Sequence, residues 1–258
     1  MPDYTITELN ISLTRLINLP DDIDKYTNLK VLYCCSNKIT SLDNLSNGQL
    51  AGHEDKPLSL PSNLEKLYCG SNNLTSLNNL PSKLEVLHCS NNQITILDNL
   101  PPKLKILSCH NNKITSLDNL PPNLIELDCS YNQITILDNL PHNLKKLYCY
   151  HNQIASLDNL PPNLENLVCW QNKLTSIDNL PSNLKCLDCS YNHITSLDNL
   201  SLTLKILDCQ NNLLTSLDNL PPNLNIFYCN DNPLKYNFKP TFENIRNYNA
   251  ARMLSSNT

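Results

Sequence analysis

The chain has 258 residues and a formal net charge of −5, with only three Gly beside 17 Pro. This charge is too mild to attract a polyanion, and no basic stripe is visible, so we expect no nucleic-acid partner. No apolar run approaches the ~20 residues that span a bilayer, and residues 1–10 lack the basic and apolar regions of a secretory signal. We therefore expect no membrane association and an intracellular location.

Internal repetition is the strongest signal in the sequence, and it begins near the N-terminus. Residues 1–28 are predicted to form an N-terminal cap and an irregular first repeat, in which Thr14 stands where later repeats have Asn. Residues 21–29 favour one helical turn within a longer, 23-residue repeat. The second repeat fits the later pattern fully through Leu29, Leu32, Cys34, Asn37, Ile39 and Leu42.

Residues 46–59 interrupt the repetition before it resumes at residue 61. We interpret this segment as an inserted surface loop, because loops tolerate insertions that a strand or core position would not. The alternative is a protruding contact element.

From residue 61 to 235 the sequence repeats every twenty residues with the pattern LxxLxCxxNx(L/I)TSLDNLPPN. The LxxLxC part predicts a short strand, because Leu67 and Cys69 then point inward while their neighbours point outward. The Asn amide can satisfy backbone groups that the following turn leaves unpaired. The Pro fixes φ and biases the preceding residue to extended geometry, so the return segment should be turn and polyproline-II-like chain. The Asn column is Asn72, Asn92, Asn112, Asn132, Asn152, Asn172, Asn192, Asn212 and Asn232.

Residues 236–258 follow the last repeat and are predicted to form a C-terminal cap. Phe242, Ile245, Asn249 and Met253 recur at helical spacing, and Thr241 is a possible N-cap. We interpret this segment as a short capping helix, since the ends of a solenoid need covers. A partner-binding helix is the alternative.

These elements predict a single right-handed solenoid over residues 1–258. One repeat buries about six apolar side chains, worth about 1.5–3 kcal/mol each, while ordering twenty residues costs on the order of 20–40 kcal/mol. A lone repeat cannot fold, so neighbouring repeats must stack. The predicted fold is a parallel concave sheet of about 11 short strands with a turn and polyproline-II convex side.

The repeated residues resemble the leucine-rich-repeat family across nearly the whole chain. The short form with LPPNLxxL before each strand is most similar to the repeats of bacterial type III effectors, and it also resembles repeats in giant-virus proteins. This resemblance implies ligand binding on the concave sheet, usually of a protein. Some effector relatives add a catalytic ubiquitin-ligase domain, but only about 24 residues follow the last repeat here, so that activity is not expected.

The Cys column and the Asp column could suggest disulfides or metal sites. Ten of the twelve Cys lie in the inward strand column, where Cys acts as a small hydrophobe. A straight column of thiols does not match tetrahedral zinc spacing, and a continuous ladder of free thiols fits a reducing compartment. The Asp column that runs from Asp98 to Asp218 is best explained by Asx-type turns, because the glycine-rich turns of calcium-binding solenoids are missing. We expect no metal and no cofactor.

Outward strand positions are free to vary, and they hold the only Trp and seven of the eleven Tyr. Exposed Tyr and Trp on a rigid sheet are typical of binding hot spots. Tyr148, Tyr150, His151, Val168 and Trp170 fall on two adjacent repeats and should form one patch. The predicted partner-binding residues are Tyr68, His88, His110, Asp128, Tyr148, Tyr150, His151, Val168, Trp170, Asp188, Tyr191 and Asp208.

We therefore predict a non-catalytic, monomeric binding module for a protein or peptide with a basic or mixed surface. It would act in the cytoplasm, or in the host-cell cytoplasm for a viral or secreted effector protein. A sheet with no dedicated ligand is the simplest alternative for the patch, and a structural or self-assembling role is the alternative function. An enzyme is disfavoured, because the best candidates, Ser108, His110 and Asp128, sit on separate columns and repeats. No small-molecule substrate is expected.

Overall fold

A computed structural model describes residues 2–43, 59–218 and 220–255. The molecule comprises two compact units, Met1–Gln133 and Ile134–Thr258. Within the described residues there are eleven three-residue strands, one turn of 3-10 helix and one α-helix. Each strand carries one inward residue between two outward ones, which is the arrangement that the LxxLxC pattern predicts.

The first unit contains six parallel strands that pair in chain order. The central residue of each strand pairs with the central residue of the next, as Leu67 pairs with Leu87, so the repeats stack in register. The strands are β1 (Glu8–Asn10), β2 (Val31–Tyr33), β3 (Lys66–Tyr68), β4 (Val86–His88), β5 (Ile106–Ser108) and β6 (Glu126–Asp128).

The second unit contains five parallel strands, again paired in chain order, followed by a helix. Their registers are likewise centred on the inward Leu, as Leu167 pairs with Leu187. The elements are β7 (Lys146–Tyr148), β8 (Asn166–Val168), β9 (Cys186–Asp188), β10 (Ile206–Asp208), β11 (Ile226–Tyr228) and α1 (Phe242–Ser255).

The inward columns form the core of each unit, as predicted. Leu67 and Cys69 are 0% exposed, and so are their equivalents in the next seven repeats. Several buried thiols point along the stack: the Cys89 Sγ lies 3.5 Å from the Ser108 carbonyl oxygen of the next repeat. None of the twelve Cys forms a disulfide, and burial raises the pKa of eight of the ten ladder thiols, to about 12 for Cys34.

The Asn column joins each repeat to the one before it. The Asn92 amide nitrogen donates to the carbonyl oxygens of Cys89, at 2.9 Å, and of Cys69 in the preceding repeat, at 3.1 Å. Its Oδ1 accepts from the backbone N–H of Leu74, also in the preceding repeat, at 2.9 Å. One buried amide therefore satisfies backbone groups in two repeats, which confirms the role predicted for this column.

The return segments are built from tight turns. Pro61 accepts a hydrogen bond from the backbone N–H of Leu64 at 3.1 Å, and the later repeats have the same contact. The Asp column behaves differently from the predicted Asx turn: the Ser116 hydroxyl accepts from the N–H of Asp118 at 3.1 Å, so the Ser side chain caps this turn. The Asn at the next position adopts left-handed backbone, with φ of 57–63° at Asn99, Asn119, Asn139, Asn159 and Asn199, and so does Asn79, which follows Asn78, with φ of 54°.

Both ends of the repeat array depart from the repeat pattern. In the first repeat, Thr14 donates to the Ile11 carbonyl oxygen at 2.7 Å, which replaces one of the bonds that Asn makes elsewhere. The predicted helical turn is a 3-10 helix over Ile23–Lys25. At the other end, the Thr241 hydroxyl accepts from the N–H of Asn244 at 3.2 Å and caps α1, and Ile245 is fully buried.

The predicted insertion at residues 46–59 lies, except for its last residue, outside the described residues, so its character as a surface loop stays a prediction.

Candidate partner-binding surface

The outward residues of the second unit form columns that run across its strands. Because the strands pair in register, Tyr148 lies opposite Val168, Val168 opposite Asp188, and Asp188 opposite Asp208. Tyr150 and Trp170, two positions further along, form the start of a second column. The inward neighbours of all these residues are buried Leu and Cys, so the backbone that presents them is anchored in the core.

Tyr150, His151 and Trp170 form an aromatic patch on this face. The rings of Tyr150 and Trp170 stack with centroids 4.7 Å apart and planes within 9°. The His151 ring meets Trp170 edge-on at 4.7 Å. All three side chains are half-buried, and burial lowers the pKa of His151. The structure thus brings together three of the residues that the sequence predicted to be neighbours.

Two carboxylates lie on the neighbouring strands of the same face. The Asp188 Oδ1 accepts hydrogen bonds from the backbone N–H of Ser190, at 3.1 Å, and from its hydroxyl, at 2.6 Å. Asp208 accepts from the backbone N–H of Gln210 at 3.1 Å. Burial raises the pKa of Asp208, and the adjacent Asp188 adds to this effect.

His151 and Tyr191 stand at a position where the backbone is left-handed. Both have φ of 53°, and most equivalent positions in other repeats are occupied by Asn, Ser or Asp. Asn and Asp tolerate this conformation better than aromatic residues do. Tyr191 is 51% exposed and also belongs to the predicted site.

In the first unit, a row of stacked rings crosses three strands. Tyr33 and Tyr68 stack with centroids 4.7 Å apart, and Tyr68 and His88 with centroids 5.0 Å apart. Burial lowers the pKa of His88 more than the nearby carboxylates raise it. Tyr68 and His88, both predicted partner-binding residues, are therefore held against each other on the outward face.

The first unit also corrects one expectation from the sequence. Ser108, His110 and Asp128 were expected to lie apart, but His110 Nδ1 is 3.2 Å from the Ser108 hydroxyl and 3.1 Å from Asp128 Oδ2. Positions i and i+2 of one strand share a face, and the register of β5 with β6 brings Asp128 alongside. Burial acts to raise the pKa of Asp128, but hydrogen bonds from His110 and Ser130 outweigh it and lower that pKa.

This cluster does not have the geometry of a catalytic triad. A triad needs the nucleophile on one ring nitrogen of the His and the carboxylate on the other. Here both partners contact Nδ1. The Ser108 hydroxyl is also buried and lies 2.9 Å from the Ser90 hydroxyl, so the contacts form a structural polar network across the strands.

Four serines in the outward columns are buried, which the alternation rule alone does not predict. A short side chain on an outward face is covered when a longer side chain lies beside it. The residues are Ser90, Ser108, Ser130 and Ser190.

The described residues contain no group of three or more His, Cys, Asp or Glu side chains arranged to hold a metal ion. No helix among residues 2–43, 59–218 and 220–255 is long and apolar enough to cross a membrane.

A family model described as Leucine Rich repeats, in two copies, matches the chain at residues 62–102, 82–122, 122–162 and 142–182. The strand and Asn columns define a 20-residue repeat, and every match begins and ends at the same position within that repeat. No curated protein sequence matches the chain significantly.

Several solved structures share the architecture. YopM from Yersinia enterocolitica is 32% identical, with a TM-score of 0.63, and the match covers 86% of this chain and 58% of that one. The chain thus spans little more than half the length of YopM. The functional domain of InlJ from Listeria monocytogenes, which includes a cysteine ladder, is 31% identical with a TM-score of 0.56, over 90% of this chain and 65% of that one.

A third structure shows the fold alone, because its identity is low. It is the octameric complex of Latrophilin 3, Unc5D and FLRT2, with 20% identity and a TM-score of 0.75 over 91% of this chain and 78% of that one. The repeat pattern, the stacked parallel strands and these likenesses agree with one another. The chain is a leucine-rich-repeat protein built on 20-residue repeats.

Proposed function

We propose that this protein is a non-catalytic binding module that captures a protein or peptide on the outward face of its sheet, the face predicted to be concave. The aromatic patch of the second unit is the principal contact site, and Tyr148, Val168 and Tyr191 extend it. The module acts as a monomer in the cytoplasm.

The stacked pair of Tyr150 and Trp170 is the observation that carries this proposal. Tyr and Trp offer large contact areas at a small cost in side-chain entropy, because each has only two side-chain torsions. Stacking at 4.7 Å restricts these torsions further before any partner arrives. A partner therefore meets a surface that is already ordered, which lowers the entropic cost of binding.

The similar structures favour binding over catalysis. YopM is described as a leucine-rich effector protein, and FLRT2 is present as a leucine-rich-repeat domain in a complex with two other proteins. The cluster of Ser108, His110 and Asp128, which would be the best candidate for catalysis, lacks the required arrangement around the imidazole ring. An open sheet also excludes water poorly from a reacting group.

The test is to replace the patch and to measure partner capture. We expect the double variant Tyr150→Ala/Trp170→Ala to recover at least about tenfold less of the partner, because hot-spot aromatic residues carry about 2 kcal/mol or more of the binding free energy and about 1.4 kcal/mol corresponds to a tenfold change in affinity. Wild-type and variant proteins are used as bait in extracts of the native cell, and bound proteins are quantified by mass spectrometry.

The matched control is Ile136→Ala/Leu213→Ala, which removes two exposed apolar side chains (58% and 48% exposed) from the turns of the same unit. This control should capture as much partner as the wild type. Equal capture by the patch variant and the wild type, with both folded by circular dichroism, would show that the patch is not the binding site.

A further inference from the structure

We propose that the partner presents an arginine or lysine to Asp188 and Asp208, which bind its cation beside the aromatic patch. This inference rests on the proposed function and adds to it the chemistry of the partner: a basic peptide segment with an apolar residue next to the basic one.

The two carboxylates are neighbours on one face. Asp188 and Asp208 are paired residues of β9 and β10, so their Cβ atoms lie about 5 Å apart. Both side chains are half-buried and belong to an outward column. The donors found for them are the neutral groups of Ser190 and Gln210, which orient the carboxylates without neutralising them.

No described cation neutralises this pair. Lys185, which precedes β9, forms an ion pair of 2.6 Å with Glu165, and it lies about 10 Å along the strand from Asp188. Lys146 shares the outward face but stands on β7, two strands from β9. The lowered pKa of His151 keeps its ring largely neutral near pH 7. The pair therefore leaves negative charge close to the aromatic patch.

A cation from the partner fits this pair better than a metal ion does. Arg donates from a planar fork that matches carboxylate oxygens, and its aliphatic stem can lie on apolar surface. Ca²⁺ needs six to eight oxygen ligands, and two carboxylates supply too few. An incoming guanidinium would also relieve the repulsion between Asp188 and Asp208, which adds to the larger effect of burial in raising the pKa of Asp208.

The aromatic patch is within reach of the same peptide. Val168 pairs with Asp188, and Trp170 follows Val168 by two residues on the same face. Diagonal neighbours across adjacent strands lie about 7–8 Å apart, within reach of one long side chain. When a basic residue of the peptide binds Asp188, the adjacent residues of the peptide therefore lie over Tyr150 and Trp170.

The experiment is a selection from a random ten-residue peptide library displayed on phage, at 0.15 M salt, against the whole chain. We expect wild-type protein to select peptides that contain Arg or Lys next to an aromatic or aliphatic residue. The Asp188→Asn/Asp208→Asn variant keeps the hydrogen-bond acceptors and should lose the basic preference while it retains the apolar one. Asp178→Asn/Asp198→Asn, which removes two exposed carboxylates from the turns, is the matched control and should select as the wild type does.

The affinity of one selected peptide gives the second readout. Trp170 is the only tryptophan in the chain, so its fluorescence reports binding at the patch. The peptide should bind Asp188→Asn/Asp208→Asn about tenfold or more weakly, the scale of a charge-assisted hydrogen bond, and replacement of its Arg by citrulline should abolish this difference.

The outcomes separate the two proposals. Peptides that need Trp170 for binding but show no basic preference, or a preference that Asp188→Asn/Asp208→Asn retains, would overturn this inference and leave the proposed function intact. Selection of no peptide that depends on Trp170 would overturn both.

Discussion

Single residues contribute unequally to the stability of this chain, and those of the buried Asn column contribute the most. Asn112 donates to the carbonyl oxygens of Cys109 and Cys89, at 2.9 and 3.2 Å, and accepts from the N–H of Ile94 at 2.9 Å. Only 9% of the surface of Asn112 is exposed, so water cannot replace these hydrogen bonds. A change here leaves the buried N–H of Ile94 without its acceptor. Each of the two carbonyl oxygens also loses one of its two amide donors, since Cys89 keeps its bond from Asn92 and Cys109 keeps its bond from Asn132.

We expect Asn112→Ala to lower the free energy of unfolding by about 2–4 kcal/mol, because the buried Ile94 N–H left without a partner costs about 1–3 kcal/mol and each of the other two lost hydrogen bonds adds about 0.5–1.5 kcal/mol. Urea denaturation followed by circular dichroism measures the change. Asn123→Ala is the control, since Asn123 is exposed and its bond to the Pro102 carbonyl oxygen spans the surface of a turn. A loss at Asn112 no larger than at Asn123 would contradict the ladder's role.

The sequence predicted which residues point inward, but not the contacts that individual outward side chains make. Periodicity identified Leu67, Cys69 and Asn72 as inward residues, because each inward position repeats with the same residue type. It did not reveal the contacts of Ser108, His110 and Asp128, since outward residues differ between repeats and their contacts depend on side-chain torsions. The left-handed backbone at His151 and Tyr191 could have been inferred, because Asn recurs at the equivalent positions 91, 111 and 211.

At the scale of elements, the strands and the C-terminal helix were predicted from different features of the sequence. The strands are only three residues long, too short to be predicted singly, and the repeated columns made them visible. The helix α1 was predicted from the N-cap Thr241 and the spacing of its apolar residues. The contacts of α1 with the last repeat were not predictable from the sequence. In the structure Ile245 is fully buried, and the ring centroids of Phe242 and Phe227 lie 5.5 Å apart.

The cap should stabilise the last repeat locally. We expect Ile245→Ala to cost about 2–5 kcal/mol, the usual range for a large core side chain cut to Ala. Hydrogen exchange should show lost protection in β10 and β11, while β2 to β5 keep theirs, because a repeat array is stabilised mainly by contacts between neighbours. Asn247→Ala, at an exposed position of α1, serves as the control. Uniform loss of protection across both units would contradict a local cap.

At the scale of the whole molecule, the thiols divide into two classes. Ten ladder Cys are buried, while Cys35 and Cys186 are partly exposed. Burial raises the pKa of the ladder thiols, so they stay protonated at neutral pH and react slowly, because the thiolate is the nucleophile.

We expect Cys35 and Cys186 to react with a colorimetric disulfide reagent at pH 8 well before the ladder does, and all twelve thiols to react once the protein is unfolded in guanidinium. Cys186 should be the slower of the two, because partial burial and the nearby Asp188 raise its pKa. The Cys35→Ser/Cys186→Ser variant should show no rapid phase. Rapid reaction of more than two thiols in folded wild-type protein would mean that the ladder is open to solvent.

The Asn contacts have one more consequence, for how such a chain can change in length. Each repeat of the regular array offers its predecessor the same acceptor oxygen, and its own backbone N–H donates to the equivalent oxygen of its successor. A duplicated or deleted twenty-residue segment therefore leaves matching junctions on both sides. Gene duplication can lengthen the array without redesign of its interior, and selection can then alter the displayed side chains one repeat at a time.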